Sequence, residues 1–195
     1  GDSFYEILLK HWVLTSQADE TSFNMYNTSW TGIRNHLIRK TQPNQFVYIA
    51  EMPTFGNFRP KMDHLVCFMP GVVSLSIMEL NRLKRPLLHE DDQQVALKIL
   101  DTCMELYNIH ETGLPPEIVY LNEHDQFATD MSVTERDAHY LLRPETVESM
   151  YYAYRLTGDR KYQEIGWKIF TAIRKYCKTP NGAYSGVKNV RQIPT

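Results

Sequence analysis

Three charged residues, Arg143, Glu145 and Glu148, fall within one short stretch, His139-Tyr-Leu-Leu-Arg-Pro-Glu-Thr-Val-Glu-Ser-Met-Tyr-Tyr-Ala-Tyr-Arg-Leu-Thr-Gly-Asp159. Pro144 suits the first turn of a helix, where its missing N–H is not needed. Glu145 and Glu148 are three apart, so both carboxylates share one helix face. Two chemistries fit this arrangement. Carboxylates at a helix N-terminus are stabilised by its positive end and serve as caps. Equally, an Arg can grip a ligand while carboxylates activate water. Asp2 and Glu6 repeat the pattern, one turn apart at the start of another helix. Asp63-His64 and Glu117 each stand at the start of a further element. A lone His is more often structural than functional, so the residue types alone leave both readings open.

The elements that position these residues are read from periodicity. After Pro144, Val147, Met150, Tyr151 and Tyr154 recur at i, i+3, i+4, i+7 and mark a buried helix face. Gly158 ends that helix as a left-handed cap, and Asp159 caps the next one. Residues 2–14 form a helix striped by Phe4, Tyr5, Leu8, Leu9 and Trp12. Residues 21–41 form a second, with Phe23, Tyr26, Trp30, Ile33 and Leu37 inward, and Gln42-Pro43-Asn44 breaks it. Phe46–Met52 reads as a short strand. Pro53–Phe58 reads as a loop whose aromatics shape a sugar pocket or seal a core edge. Residues 61–81 read as one deeply buried helix, kinked at Pro70-Gly71. A polar connection over 82–92 leads to a helix over 91–110, with Val95, Ile99, Cys103, Leu106 and Tyr107 inward. Thr112–Pro116 is a turn, Glu117–Leu121 a second strand, and 122–138 a long polar loop. Residues 160–177 form an amphipathic helix through Tyr162, Ile165, Ile169, Phe170, Ile173 and Tyr176. Lys178–Gly182 ends it, and Ala183–Val187 reads as a third short strand. Periodicity alone gives an all-α chain of antiparallel helix pairs with short strands at one end.

The chain has 195 residues, 43% hydrophobic, enough for one sizeable core or part of a larger domain. A formal net charge of −2 gives no sign of nucleic acid or an anionic membrane as partner. No apolar run of membrane-spanning length and no signal peptide is read. The chain starts at Gly1 rather than Met, which reads as a fragment or a processed form. On count alone, the three cysteines, Cys67, Cys103 and Cys177, fit free thiols as well as a disulfide. Asn27-Thr28-Ser29 is a glycosylation acceptor, a pattern that also arises by chance.

Leu-Arg-Pro-Glu-Thr-Val-Glu-Ser-Met-Tyr-Tyr, then Arg-Leu-Thr-Gly-Asp and Gly166-Trp167, resembles the class I α-1,2-mannosidases of glycoside hydrolase family 47. Asp2-Ser-Phe-Tyr-Glu6, Lys61-Met-Asp-His-Leu-Val-Cys-Phe68 and Glu111-Thr-Gly-Leu-Pro-Pro-Glu117 agree with it in the same order. The Arg-Pro-Glu-Thr-Val-Glu-Ser version is closer to the endoplasmic-reticulum type than to the Golgi type. The resemblance implies part of an (α/α)7 barrel, with strands and loops closing one end. It makes residues 1–195 a partial catalytic domain.

The resemblance also implies site roles. Asp2 and Glu145 become the catalytic carboxylates, and Arg143, His64, Glu117, Glu148 and Glu6 substrate-binding or supporting residues. The family inverts configuration, so water attacks directly between carboxyl groups about 6.5–9.5 Å apart. A calcium ion is implied, with its direct Thr ligand in a segment this sequence does not contain. Glu145 and Glu148 are then candidates for water-mediated contact. A further catalytic acid is expected from before Asp2, so this chain alone is expected to be inactive. Cys67 and Cys103 fall where the family forms a disulfide, with Cys177 left free, which places the protein in an oxidising lumen, endoplasmic reticulum or Golgi. The implied substrate is the terminal α-1,2-linked mannose of high-mannose N-glycans on glycoproteins. Any membrane tie would run through an anchor not present here. The alternative is a lectin-like member that recognises mannose glycans in quality control with little hydrolysis, and a plain helical scaffold is the third reading. Retained Glu145 and Asp2 favour the enzyme, and acids clustered at four element starts disfavour the scaffold.

Overall fold

A computed structural model describes residues 2–124 and 128–192, apart from the side chain of Asp2. Its helices pair in chain order. α1 (Asp2–Leu14) packs on α2 (Glu20–His36), α3 (Met69–Arg82) on α4 (Asp92–Glu105), and α5 (Glu145–Thr157) on α6 (Lys161–Tyr176). α1, α3 and α5 also lie against one another in that order. The connection from α2 to α3 carries β1 (Ile38–Lys40), β2 (Val47–Ile49), β3 (Glu51–Thr54), β4 (Asn57–Arg59) and β5 (Lys61–Asp63). Between α4 and α5 lie β6 (Ile118–Leu121) and β7 (Met131–Ser132). All pairings are antiparallel: β1 with β2, β3 with β4, and β6 between β5 and β7.

Local chemistry explains the helix ends. The Asp19 carboxylate accepts the Thr21 and Ser22 N–H groups and starts α2. Gly158 takes φ +73° and ends α5, and Asp159 then accepts the Lys161 N–H at 2.9 Å. The apolar stripes meet as the periodicity requires, except that Phe4, expected in the stripe of α1, is 52% exposed. Leu8, Leu9 and Trp12 of α1 join Phe23, Tyr26, Trp30 and Ile33 of α2 and Val72, Val73, Ile77 and Leu80 of α3 in one buried cluster. Each large side chain so buried contributes about 1.5–3 kcal/mol. A second cluster joins α4, α5 and α6 through Leu100, Cys103, Met150, Ala153, Tyr162 and Ile169. Cys67 and Cys103 form a disulfide across it, with Cα atoms 5.8 Å apart, and Cys177 is free and buried.

Several expected boundaries move. The helix expected over 21–41 stops at His36, because the backbone of Ile38–Lys40 pairs with β2 instead. The strand expected over Phe46–Met52 divides into β2 and β3, and the following loop is the β3–β4 hairpin. The helix expected over 61–81 is β5, then a 3-10 turn (His64–Phe68), then α3. Pro70 therefore occupies the first turn of α3 and starts a helix rather than kinking one. Together His64–Arg82 do reach the length and apolarity of a membrane span, which the sequence reading did not find. Two-thirds of that stretch, 67%, is buried within the fold, as in a core helix. The helix expected to reach residue 110 ends at Glu105, and Ala183–Val187 forms only isolated bridges, Lys178 to Tyr184 and Tyr140 to Val187.

The buried face of α5 differs most. Val147 is 39% exposed and Tyr151 54%, while Thr146, Ser149, Met150 and Ala153 face inward. Hydrophobic periodicity cannot see this, because Thr146 and Ser149 are small polar residues satisfied inside the core. Ser149 Oγ accepts the Gly71 N–H at 2.8 Å and donates to the Cys67 carbonyl at 2.5 Å. A Cβ on Gly71 would lie 2.8 Å from Ser149 Oγ and 3.0 Å from Ser149 Cα. Gly71→Ala is therefore expected to force α3 and α5 apart and cost about 1–3 kcal/mol. Thermal unfolding checks this, and an unchanged midpoint would mean that the helices separate freely. On α6, Tyr162 and Ile169 are buried as expected, and Phe170 is exposed.

Candidate active site

The β5–β6 ladder sets the first two residues side by side. Asp63 pairs with Ile118, and one step on the His64 N–H donates to the Glu117 carbonyl at 2.8 Å. Glu117 in turn donates its N–H to the Asp137 carbonyl at 3.0 Å, which fixes the start of β6. Its side chain is held from α5's side: Arg143 Nε donates to both Glu117 carboxylate oxygens at 2.7 Å, and Nη2 also reaches Oε1. This pair is nearly buried, a charge-assisted fork that holds the strand start to the helix start.

His64 is wholly buried. Its Nε2 lies 2.9 Å from Thr146 Oγ1 and 3.2 Å from Tyr107 Oη, and Nδ1 has no hydrogen-bond partner. Burial, aided by the nearby Arg143 charge, pushes its pKa down to about 3, so the ring is neutral. The sequence reading placed His64 on the floor of a sugar site. In the structure it is bonded to Thr146 and so supports the first turn of α5.

Glu145 opens α5. Its Oε2 is buried without a hydrogen-bond partner. Burial raises its pKa above the ordinary glutamate value; Arg143 opposes the shift, and the negative charges of Glu117 and Glu148 add to it. Glu148, one turn on, accepts from Lys10 Nζ at 2.8 Å, and Lys10 also bonds Glu6 at 2.5 Å. Glu6 and Glu148 are thus joined through one cation that ties α1 to α5. Asp63 pairs with Lys61 at 2.8 Å, and Lys61 also pairs with Glu51 at 2.7 Å. A cavity of about 280 Å³ opens beside Asp63, walled by Tyr5, Leu65, Val66 and Phe68 among others. Its wall does not include His64, Glu117, Glu145 or Glu148; of these, His64 bonds Thr146, Glu117 is held by Arg143 and Glu148 by Lys10. The side chain of Asp2 lies outside the described residues, while its backbone opens α1, the helix that carries Glu6 and Lys10.

Sequence reasoning did not assign roles to Lys10, Lys61, Tyr107 or Thr146. Lys10 follows Glu6 by four residues, an ion-pair spacing visible in sequence, but its reach to Glu148 is a tertiary fact. Calcium needs hard oxygen ligands. Among the described residues no group of three or more His, Cys, Asp or Glu side chains is arranged to hold a metal ion. The unpartnered Glu145 Oε2 has the right chemistry to accept from a metal-bound water, and Glu148 has one oxygen committed to Lys10. The residues present fit a water-mediated role.

The sequence matches glycosyl hydrolase family 47 over residues 1–195. It is 40% identical over 192 residues to the endoplasmic reticulum mannosyl-oligosaccharide 1,2-alpha-mannosidase of Homo sapiens, covering 98% of this chain and 26% of the human protein. It is 37% identical over 220 residues to a mannosyl-oligosaccharide 1,2-alpha-mannosidase of Arabidopsis thaliana, covering all of this chain and 35% of the plant protein. The chain thus spans between a quarter and about a third of the length of these relatives. Among solved structures, the alpha-1,2-mannosidase from Trichoderma reesei superposes with a TM-score of 0.79 at 26% identity, covering 98% of this chain and 40% of the fungal one. A family 76 glycoside hydrolase from Bacteroides thetaiotaomicron superposes with a TM-score of 0.61 at 11% identity, a likeness of fold alone.

Proposed function

We propose a function from one premise: the chain belongs to glycosyl hydrolase family 47. Its paired helices and end strands are part of that family's (α/α)7 barrel. Residues 1–195 are part of the catalytic domain, and the whole protein is an inverting α-1,2-mannosidase. It removes terminal α-1,2-linked mannose from high-mannose N-glycans, in N-glycan processing and glycoprotein quality control. The observation that carries this reading is Glu145. It is a half-buried carboxylate whose Oε2 is buried without a hydrogen-bond partner and whose proton affinity is raised, at the start of a helix fixed by the Arg143–Glu117 fork and by His64.

Hydrolysis with inversion needs a base for the attacking water and an acid for the leaving oxygen. Glu145 takes the water proton as the new bond forms at the anomeric carbon, and its desolvation makes it a stronger base than an exposed glutamate. Asp2 is the companion carboxylate on the leaving side. Arg143 is oriented by Glu117 through Nε and Nη2, which leaves Nη1 to meet substrate hydroxyls. Glu6, Lys10 and Glu148 hold the α1–α5 contact behind them. A calcium ion, when bound, would fix sugar hydroxyls, with Glu145 and Glu148 holding its water shell. Retained carboxylates disfavour the lectin-like reading.

The Cys67–Cys103 bridge fits an oxidising compartment, and the mammalian relatives are named for the endoplasmic reticulum, so the lumen of the secretory pathway is the proposed location. There Asn27, half-exposed on α2 beside the exposed Thr28, would accept an N-glycan. The test of the function is linkage-specific release. The whole protein is expected to free mannose from α-1,2-mannobiose and from a high-mannose glycan, to leave α-1,6-mannobiose intact, and to lose activity to a chelator. Equal action on both disaccharides, or on neither, would defeat the reading.

A further inference from the structure

The β3–β4 hairpin turns on Phe55-Gly56, where Gly56 takes φ +77°, and Thr54 pairs with Asn57 across it. Phe55 is 88% exposed, more than any other large hydrophobic side chain described. A single exposed apolar residue needs no explanation, but this ring has company and a rigid mount. The exposed ring of His36 stands against it, centroids 6.4 Å apart at 62°. Glu51 at the base of β3 is tied to Lys61 at 2.7 Å, and Phe58 of β4 lies under the Arg39 guanidinium, 4.7 Å from its centroid. Arg39 is in turn paired with Glu123 at 2.8 Å. The tip is therefore held firmly while its aromatic face stays open to water.

The platform also lies at the right end of the molecule. Tyr5 near the start of α1 and Ile33 and Leu37 at the end of α2 line the cavity beside Asp63, so these two helix ends lie at the site end. α2 returns antiparallel after a short turn, which brings its last residue, His36, back to that end. The hairpin belongs to the α2–α3 connection, whose last strand delivers Asp63 and His64. Pyranose rings present an apolar C–H face that packs on aromatic rings, with hydroxyls at the rim for polar groups. Exposed Thr54, Asn57 and Arg59 surround the tip with such groups. We propose that Phe55, with His36, is a sugar-stacking platform for a pyranose residue of the glycan other than the one being cleaved. It would give the site preference for extended glycans over disaccharides. This rests on the mannosidase reading for the identity of the ligand as a mannose-rich oligosaccharide.

The experiment compares the whole protein with its Phe55→Ala, Phe55→Trp and His36→Ala variants in two assays. Calorimetry measures affinity for a high-mannose oligosaccharide, and kcat/KM is measured on α-1,2-mannobiose. Phe55→Ala is expected to weaken the oligosaccharide about three- to tenfold, the range of one aromatic contact. Its kcat/KM on the disaccharide should stay unchanged, and Phe55→Trp should restore the affinity. His36→Ala should weaken binding less. Unchanged oligosaccharide affinity in Phe55→Ala overturns the proposal, as does an equal fall in both assays. A wild-type protein that binds the oligosaccharide but frees no mannose from it or from the disaccharide would defeat the mannosidase reading, and the affinity arm would still decide the platform.

Discussion

Glu145→Gln is expected to lower kcat for mannose release about 10²–10⁴-fold, the usual contribution of a positioned acid or base. The change keeps the shape of the side chain and removes its ability to take a proton. The surroundings make this a clean substitution. Glu145 Oε2 has no partner to lose, and the first turn of α5 is held by Thr146, Ser149 and Arg143 rather than by Glu145 itself. Fold and glycan affinity should therefore persist, so the loss falls on kcat and spares KM. A kcat within tenfold of wild type would remove Glu145 from the base role and return it to helix capping.

Replacing both cysteines, Cys67→Ala with Cys103→Ala, is expected to cost about 3–4 kcal/mol of unfolding free energy in the chain-entropy model, given their separation of 36 residues. That is a large share of the 5–15 kcal/mol typical of a folded domain. The bridge joins the 3-10 turn before α3 to α4, and the carbonyl of Cys67 also accepts from Ser149 of α5. Its loss should loosen the packing that sets the start of α5, so activity should fall at temperatures where the wild type still works. Denaturant titration of oxidised protein and double variant measures the difference. A change below about 1 kcal/mol would mean that helix packing alone defines this junction.

Much of the arrangement was legible because it rests on local chemistry. The stripes of α1 and α2, the cap at Gly158 and the helix start at Pro144 each follow from residue types at fixed spacing. The start of α3 was not legible in this way. Lys61–Phe68 is apolar enough to continue a helix, and only its pairing with β6, from beyond α4, makes Lys61–Asp63 a strand. The inward face of α5 was misread for a related reason. Thr146 and Ser149 look like surface residues until His64, Gly71 and the Cys67 carbonyl supply their partners. At the candidate site, the quoted motifs bring together Arg143, Glu117, Glu145 and Glu148. The burial of His64 and the bridging cation Lys10 depend on helices that meet only in the folded chain.

The central claim is hydrolysis by direct attack of water at a mannosyl carbon, with Glu145 as base. It is tested most directly by following α-1,2-mannobiose with the whole protein by proton NMR and reading the anomeric configuration of the mannose first released. The account predicts β-mannose at the earliest times, followed by slow mutarotation to the α form, and no early β signal from Glu145→Gln. Mannose released first as the α anomer would show a covalent intermediate and contradict the account.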